Sequence, residues 1–135
     1  MNIYCTERFK SEFKKLIKYN SYKILERQVI DNFFNCSDDQ IRHGTTISSS
    51  SYRSVVKKRI GGRGGFRAYF YVYVMDNKIY LSYIYPKTGS EGKISLSKAF
   101  RKLIIDETDE AIDRNDLFEI SVLNGRLDFI STRSN

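Results

Sequence analysis

The fold is decided by the ten residues from Phe66 to Met75, which read FRAYFYVYVM. Residues of two kinds alternate along this stretch, as they do in a β-strand whose two faces meet different surroundings. One face carries Phe66, Ala68, Phe70, Val72 and Val74, and the other carries Arg67, Tyr69, Tyr71, Tyr73 and Met75. Asp76-Asn77 predicts a two-residue turn, so residues 78–85 should return as the partner strand. That register pairs Arg67 with Pro86 and brings Lys87 to the same end of the hairpin.

The segments before this hairpin predict helices and two further strands. Residues 3–5 predict a short strand, and Thr6 is expected to cap a helix whose apolar stripe includes Phe9 and Phe13. Ser21 is expected to cap a second helix that runs to Phe33. The link between these helices is short, so they should form an antiparallel hairpin. Residues 36–51 are polar and predict a loop, and residues 52–60 predict a basic strand.

The segments after the hairpin predict a third helix and a second hairpin. Residues 95–105 have apolar positions at helical spacing. The acidic residues 106–116 predict a linker. Asn124-Gly125 lies between alternating apolar residues, which is the strongest short-range signal of a β-hairpin. This hairpin needs a partner, and the candidates are an edge of the main sheet and the same hairpin of a second copy, which would give a homodimer.

The charge is divided unevenly along the chain. The net charge is +7, from 23 Lys and Arg against 16 Asp and Glu. Residues 106–135 hold eight acids and three bases, so residues 1–105 carry +12. A body this basic attracts polyanions such as nucleic acid. The sequence has no apolar run long enough to span a membrane and no secretory signal, and its two cysteines show no metal-ligand spacing, so we expect a cytoplasmic protein.

The residues best suited to chemistry lie between Arg53 and Arg67. This segment contains six bases, no acid and four glycines. Glycine lets the backbone approach a phosphate, and arginine matches phosphate oxygens with a planar fork. With one histidine and no clustered acids in the basic body, neither a metal site nor a cofactor is expected. The attacking group in RNA cleavage would then be the substrate's own 2′-OH. Crowding of like charges would lower the pKa of a lysine toward the range in which it can take part in proton transfer.

Three short motifs resemble the RelE/ParE toxin superfamily. They are Tyr52-Arg53, Arg63-Gly64-Gly65-Phe66-Arg67-Ala68-Tyr69-Phe70 and Ile84-Tyr85-Pro86-Lys87-Thr88-Gly89. The resemblance covers about residues 2–105 and implies a RelE-like α+β fold. That fold has the N-terminal helical hairpin packed on a twisted, mainly antiparallel sheet of about four strands, followed by a third helix. The toxin domain would be residues 1–105, with residues 106–135 as an acidic linker and an extra C-terminal hairpin of the same domain.

The resemblance also implies a function and a site. The chain would be the toxin of a bacterial type II toxin–antitoxin system, a ribosome-dependent mRNA endoribonuclease that an antitoxin protein silences. Arg67 and Lys87 would hold the scissile phosphate, with Tyr85 near the chemistry. The RNA-binding residues would be Arg53, Lys57, Lys58, Arg59 and Arg63.

Two other functions stay open on the sequence. The family often presents a catalytic Tyr or His on its C-terminal helix, and residues 91–105 contain neither. This departure favours a non-enzymatic ParE-like gyrase inhibitor, or an inactive relative that only binds RNA or protein. Four tyrosines of the central hairpin are interpreted as a packed sheet face, with stacking on RNA bases as the alternative. They are Tyr69, Tyr71, Tyr73 and Tyr80.

Overall fold

The computed structural model describes residues 1–62, 64–73 and 76–133. The strands of these residues are β1 (Asn2–Cys5), β2 (Thr45–Ser49), β3 (Arg53–Ile60), β4 (Phe66–Tyr73), β5 (Lys78–Pro86), β6 (Phe118–Leu123) and β7 (Arg126–Ser131). The helices are α1 (Glu7–Leu16), α2 (Leu25–Phe33), α3 (Asp38–Arg42) and α4 (Lys98–Asp113), with a short 3-10 turn at Asn20–Tyr22. Val74 and Met75, which end the predicted central strand, lie outside the described residues. The class is α+β, as predicted.

The strands form one mixed sheet, so the prediction of a RelE-like sheet of about four strands is wrong. Across the described residues the sheet has seven strands in the order β2-β3-β4-β5-β1-β6-β7. The reason lies in β1, which pairs in parallel with β5 and antiparallel with β6. The C-terminal hairpin therefore continues the main sheet. At the other edge of the sheet, β2 pairs with β3. β2 lies within residues 36–51, which were predicted to be a loop.

The face of the sheet covered by α1, α2 and α3, here called the helical face, contains the larger core. Thr6 caps α1 as predicted, because its Oγ1 accepts a hydrogen bond of 3.2 Å from the Phe9 amide. The fully buried side chains of this core include Phe9, Phe13, Leu25, Val29, Phe70 and Ile84. The second helix begins at Leu25 and not at Ser21, because the preceding residues turn so that the Tyr22 hydroxyl donates to Thr88 O at 2.9 Å.

The opposite face, here called the tyrosine face, is covered in its middle by α4. The Tyr71 hydroxyl donates to Ile105 O at 2.8 Å, and the Tyr83 ring packs edge to face against Phe100. Of the four tyrosines interpreted as a packed face, Tyr69, Tyr71 and Tyr80 are buried and Tyr73 is partly buried, which confirms the interpretation. Tyr83 and Tyr85 are buried on the same face. The helix is longer than predicted because Thr108 is also buried, hydrogen-bonded to the Ser82 hydroxyl. Residues 106–113 are therefore helical, and the prediction of a linker there is wrong.

The register of the central hairpin differs from the predicted one. Tyr73 pairs with Lys78, so the connection is longer than the two residues that the turn signal indicated. A bulge after Tyr69 then shifts the pairing, and Arg67 lies opposite Tyr85 and not opposite Pro86. Both residues point to the tyrosine face, so Arg67 and Tyr85 are direct cross-strand neighbours there.

The C-terminal hairpin is confirmed. Its strands are joined by Asn124-Gly125, both at positive φ, as a tight hairpin turn requires. Ile120 and Leu127 of this hairpin are buried in the core on the helical face of the sheet. Glu26 of α2 accepts a hydrogen bond of 3.0 Å from the Leu127 amide, which ties the hairpin to the N-terminal helices.

Candidate functional site

The basic residues of β3 divide between the two faces of the sheet. Successive residues of a strand point to opposite sides, so Arg53, Lys57 and Arg59 lie on the tyrosine face and Lys58 on the helical face. Lys58 is only 5% exposed, and its Nζ donates to the carbonyls of Asn32, Gln40 and Ile41 at 2.7–3.2 Å. These carbonyls belong to the ends of α2 and α3. The structure thus separates Lys58 from the other predicted RNA-binding residues and gives it a structural position.

Arg53 lies on the tyrosine face but is held by α4. Its Nη1 pairs with Asp109 Oδ1 at 2.6 Å, and its guanidinium lies over the Tyr71 ring at 4.6 Å. The Tyr71 hydroxyl is also hydrogen-bonded to Asp109, at 3.0 Å. Because its charge is already paired, Arg53 contributes to docking α4 on the sheet and has little charge left for a phosphate.

The remaining bases meet where β3 ends, β4 begins and β5 ends. We define this basic cluster as Lys57, Arg59, Arg67, Lys87 and Arg101. Across the strands, Arg59 lies opposite Arg67, and Lys57 lies opposite Tyr69. Lys87 follows β5, and its backbone amide donates to Gly65 O at 3.0 Å. Arg101 comes from the N-terminal part of α4. Arg67 and Lys87, which were predicted to act as a pair, therefore lie in one cluster. The other members of the cluster are Lys57, Arg59 and Arg101.

Ion pairing distinguishes the arginines of the basic cluster from the others. Ten of the eleven arginines are described, and seven of these pair with a carboxylate. Among the described residues, the three without a carboxylate partner are Arg59, Arg67 and Arg101. All three belong to the basic cluster, so this part of the surface carries positive charge that the described chain does not compensate.

The crowding of charge changes the acidity of Lys57. Burial lowers the pKa of the Lys57 ammonium, and the charges of Lys87, Arg67 and Arg101 lower it further. The pKa of Arg67 is likewise lowered, by burial and then by the charge of Arg59. Like charges nearby disfavour the protonated form. A bound anion would relieve this repulsion, and the lowered pKa lets Lys57 lose its proton more readily than an ordinary lysine.

Tyr85 lies beneath the basic cluster and has an unusual hydroxyl. The side chain is fully buried, and its Oη makes no hydrogen bond to any described residue. Burial raises the pKa of Tyr85, with a further contribution from Tyr69, while the charges of Arg67 and Arg101 act in the opposite direction. The hydroxyl is therefore protonated at neutral pH and can donate a hydrogen bond. It cannot serve as a base there.

The glycine-rich turn between β3 and β4 places Arg59 and Arg67 side by side. Gly61 and Gly64 have φ values of 81° and 76°, which side chains rarely adopt. At Gly65 a Cβ would come within 2.2 Å of Ile60 O, so the turn closes only with glycine there. Arg63, a predicted RNA-binding residue, lies outside the described residues.

Arg101 is a member of the basic cluster that was not among the residues predicted for the site. A signal was available, because Ser97 is a good N-cap and places Arg101 at the start of the third helix. What the sequence could not give is the direction of this helix across the sheet, which brings Arg101 to the ends of β3 and β5.

The histidine and the two cysteines lie outside the basic cluster. His43 is exposed, and Cys5 and Cys36 are free thiols. In the described part of the chain, no three or more His, Cys, Asp or Glu residues group as a metal site would require. No helix of the described ranges is long and apolar enough to cross a membrane.

Comparison with known proteins adds no relative to this picture. No family model, curated protein or solved structure matches the chain. The resemblance to the RelE/ParE superfamily therefore rests on the three motifs alone, and any function has to be argued from the site.

Proposed function

We propose that this chain is the toxin of a bacterial type II toxin–antitoxin system, acting in the cytoplasm as a metal-independent, ribosome-dependent mRNA endoribonuclease. An antitoxin protein would silence it. The observation that carries the proposal is the basic cluster, in which three arginines without a carboxylate partner among the described residues meet two lysines above Tyr85. Such a cluster suits the phosphates of a nucleic acid. The motifs that resemble the RelE/ParE superfamily support mRNA as the target.

The reaction that fits these residues is attack by the 2′-OH of the RNA on the adjacent phosphorus. The O2′–P bond forms and the P–O5′ bond breaks, which leaves a 2′,3′-cyclic phosphate and a 5′-hydroxyl. The 2′-OH must lose its proton, the leaving oxygen must gain one, and the phosphate gains negative charge on the way. Fixed cations near those oxygens stabilise the transition state more than the ground state.

The members of the cluster suit different parts of this reaction. Arg67 and Lys87 are proposed to hold the scissile phosphate, and Arg59 a flanking phosphate. Lys57, with its lowered pKa, is proposed to accept the proton of the 2′-OH. Tyr85, protonated because its pKa is raised, is proposed to donate a hydrogen bond to the phosphate.

The pH dependence of cleavage tests the role of Lys57. The neutral amine is the active form of a base, so single-turnover cleavage should rise with pH until the pKa of Lys57 is passed. Because that pKa is lowered, the rise should level off below the range of an ordinary lysine. Lys57→Arg keeps the charge but cannot lose the proton, so it should abolish the rise. A wild-type profile that is flat between about pH 6 and pH 9 would contradict the role.

The salt dependence of RNA binding tests the composition of the cluster. The basic cluster supplies five bases that can bind phosphates. Arg53 and Lys58 are not counted, because the fold already pairs them. With a slope of about −0.7 per neutralised phosphate of single-stranded RNA, log K against log salt should fall with a slope of about −3.5. The measurement is RNA affinity between about 50 and 200 mM salt. A flat response would mean that contacts other than phosphates dominate.

The proposed function is tested by expressing the chain from a tightly repressed promoter. Growth should stop on induction, and primer extension on cellular mRNAs should map new cuts inside translated codons. Lys57→Arg should remove the cuts. Co-expression of a neighbouring gene that encodes a small protein should restore growth if that protein is the antitoxin.

A second candidate function is the non-enzymatic, ParE-like gyrase inhibitor. The sequence of α4, which contains neither Tyr nor His, favours this candidate. Growth arrest without mRNA cuts, together with trapped gyrase–DNA complexes, would support the inhibitor and overturn the endoribonuclease. No arrest and no cuts would overturn both toxin functions.

A further inference from the structure

Two buried hydrogen-bond donors lie in the region of the basic cluster. They are the hydroxyl of Tyr85 and the Nε–H of Arg101, and neither makes a hydrogen bond to any described residue. We call them the donor pair. Buried polar groups are nearly always hydrogen-bonded, because leaving one without a partner costs about 1–3 kcal/mol. Two such groups in one region indicate a site that is completed by something other than this chain.

Aromatic packing connects the strand that carries Tyr85 with the helix that carries Arg101. Tyr85 stacks on Tyr69 at 6.4 Å between ring centroids and contacts Tyr83 at 6.1 Å, and Tyr83 in turn packs against Phe100, the residue before Arg101. The charge of Arg101 acts on the pKa of both Tyr69 and Tyr85. Arg101 therefore lies in the neighbourhood of Tyr85, and its side chain is partly exposed.

The chemistry of the donor pair selects the ligand. The Nε–H of Arg101 can only donate and the Tyr85 hydroxyl can donate, so a partner that serves both must accept. Arg67 and Lys57 add positive charge beside them, and the first turn of α4 contains no acid. The N-terminus of a helix also favours negative charge. An arginine can present Nε–H and one Nη–H side by side to two oxygens of one phosphate. A phosphate group satisfies all of these donors together.

We infer that the donor pair of Tyr85 and Arg101 is a phosphate-binding site, completed by α4, which binds an oxygen of the scissile phosphate of RNA and also binds inorganic phosphate. The identity of the natural ligand rests on the proposed function, whereas the binding of phosphate itself does not. Arg101 is then a substrate-binding residue that lies on the third helix, in place of the Tyr or His of the resembled family.

The test is an NMR titration of the full chain, labelled with ¹⁵N, with inorganic phosphate at constant ionic strength. The Nε–H resonance of Arg101, assigned with Arg101→Lys, should shift and saturate. Tyr85→Phe removes the hydroxyl and keeps the ring, and it should weaken phosphate binding by about tenfold or more. Arg101→Lys keeps the charge and removes the fork, and it should weaken binding similarly. The matched controls Tyr83→Phe and Arg114→Lys should bind phosphate like the wild type.

A second arm uses a dinucleotide whose 2′-OH is methylated, so that it cannot be cleaved. Competition with inorganic phosphate for the Arg101 resonance would support RNA as the source of the phosphate. Saturable binding of inorganic phosphate without competition would support the site and count against the proposed function. An unshifted Arg101 resonance in the wild type, or unchanged phosphate affinity in both folded variants, would overturn the inference even if the chain cuts mRNA.

Discussion

Replacing Arg67 with alanine is expected to reduce mRNA cleavage by about 100- to 1,000-fold, the usual effect of removing one fixed donor to a developing oxyanion. Growth inhibition should be lost with it. The fold should survive, because Arg67 makes no ion pair in the described chain, and its one described side-chain hydrogen bond is to the neighbouring Phe66 O. Its cross-strand neighbour is Arg59, so the substitution also removes a like-charge contact. We therefore expect a melting temperature equal to or slightly above that of the wild type.

Arg27→Ala is the matched control for this substitution. Arg27 is an exposed residue of α2 that pairs only with Asp31, and its loss changes the net charge by the same amount. The control should cut mRNA like the wild type. Full cleavage by Arg67→Ala, with an unchanged melting temperature, would remove Arg67 from the site. Equal losses in both variants would show that overall charge matters and that the position of Arg67 does not.

The sequence was sufficient to predict the central strand and the side of it on which the site lies. A period of two from Phe66 to Tyr73 separates the buried apolar residues from Arg67 and the tyrosines. The same period applies to β3 and already implies that Lys57 and Lys58 face opposite ways. The prediction that Lys58 binds RNA together with Lys57 did not take this period into account. In the structure Lys58 is buried on the helical face.

The rest of the site depends on long-range contacts that local patterns do not record. The bulge after Tyr69 decides that Arg67 meets Tyr85. The polar residues of β2 have no alternation of apolar side chains, and they form a strand only because β3 offers an open edge. The path of α4 brings Arg101 to the cluster, and the buried residues that hold α4 in place lie on strands remote in sequence.

The acidic C-terminal residues also acquire their meaning only in the fold. Asp109 pairs with Arg53 and Glu107 pairs with Arg8, so two acids of this segment neutralise bases of the body. Neither reaches the basic cluster. The cluster therefore keeps its charge although the segment that follows it in sequence is strongly acidic.

Replacing Lys58 with alanine is expected to lower the free energy of unfolding by about 1–3 kcal/mol, the cost of leaving one buried carbonyl, that of Ile41, without a described donor. The carbonyls of Asn32 and Gln40 keep the Cys36 thiol and the His43 amide as donors. The ammonium of Lys58 binds the last carbonyls of α2 and α3 together and lies 4.9 Å from the ring centre of Phe33. It thereby joins the C-terminal ends of two helices to β3. Urea unfolding followed by circular dichroism measures this loss.

Lys57→Ala is the control, one residue away on the other face of the same strand. It removes a half-buried charge from among Lys87, Arg67 and Arg101, so stability should stay the same or rise slightly. RNA affinity and cleavage should fall, whereas Lys58→Ala, measured at a temperature where it is folded, should bind RNA with the affinity of the wild type. Lys58→Ala should thus lower stability and leave RNA binding unchanged, whereas Lys57→Ala should weaken RNA binding without a loss of stability. If Lys58→Ala weakens RNA binding while the chain stays fully folded, Lys58 belongs to the RNA site after all.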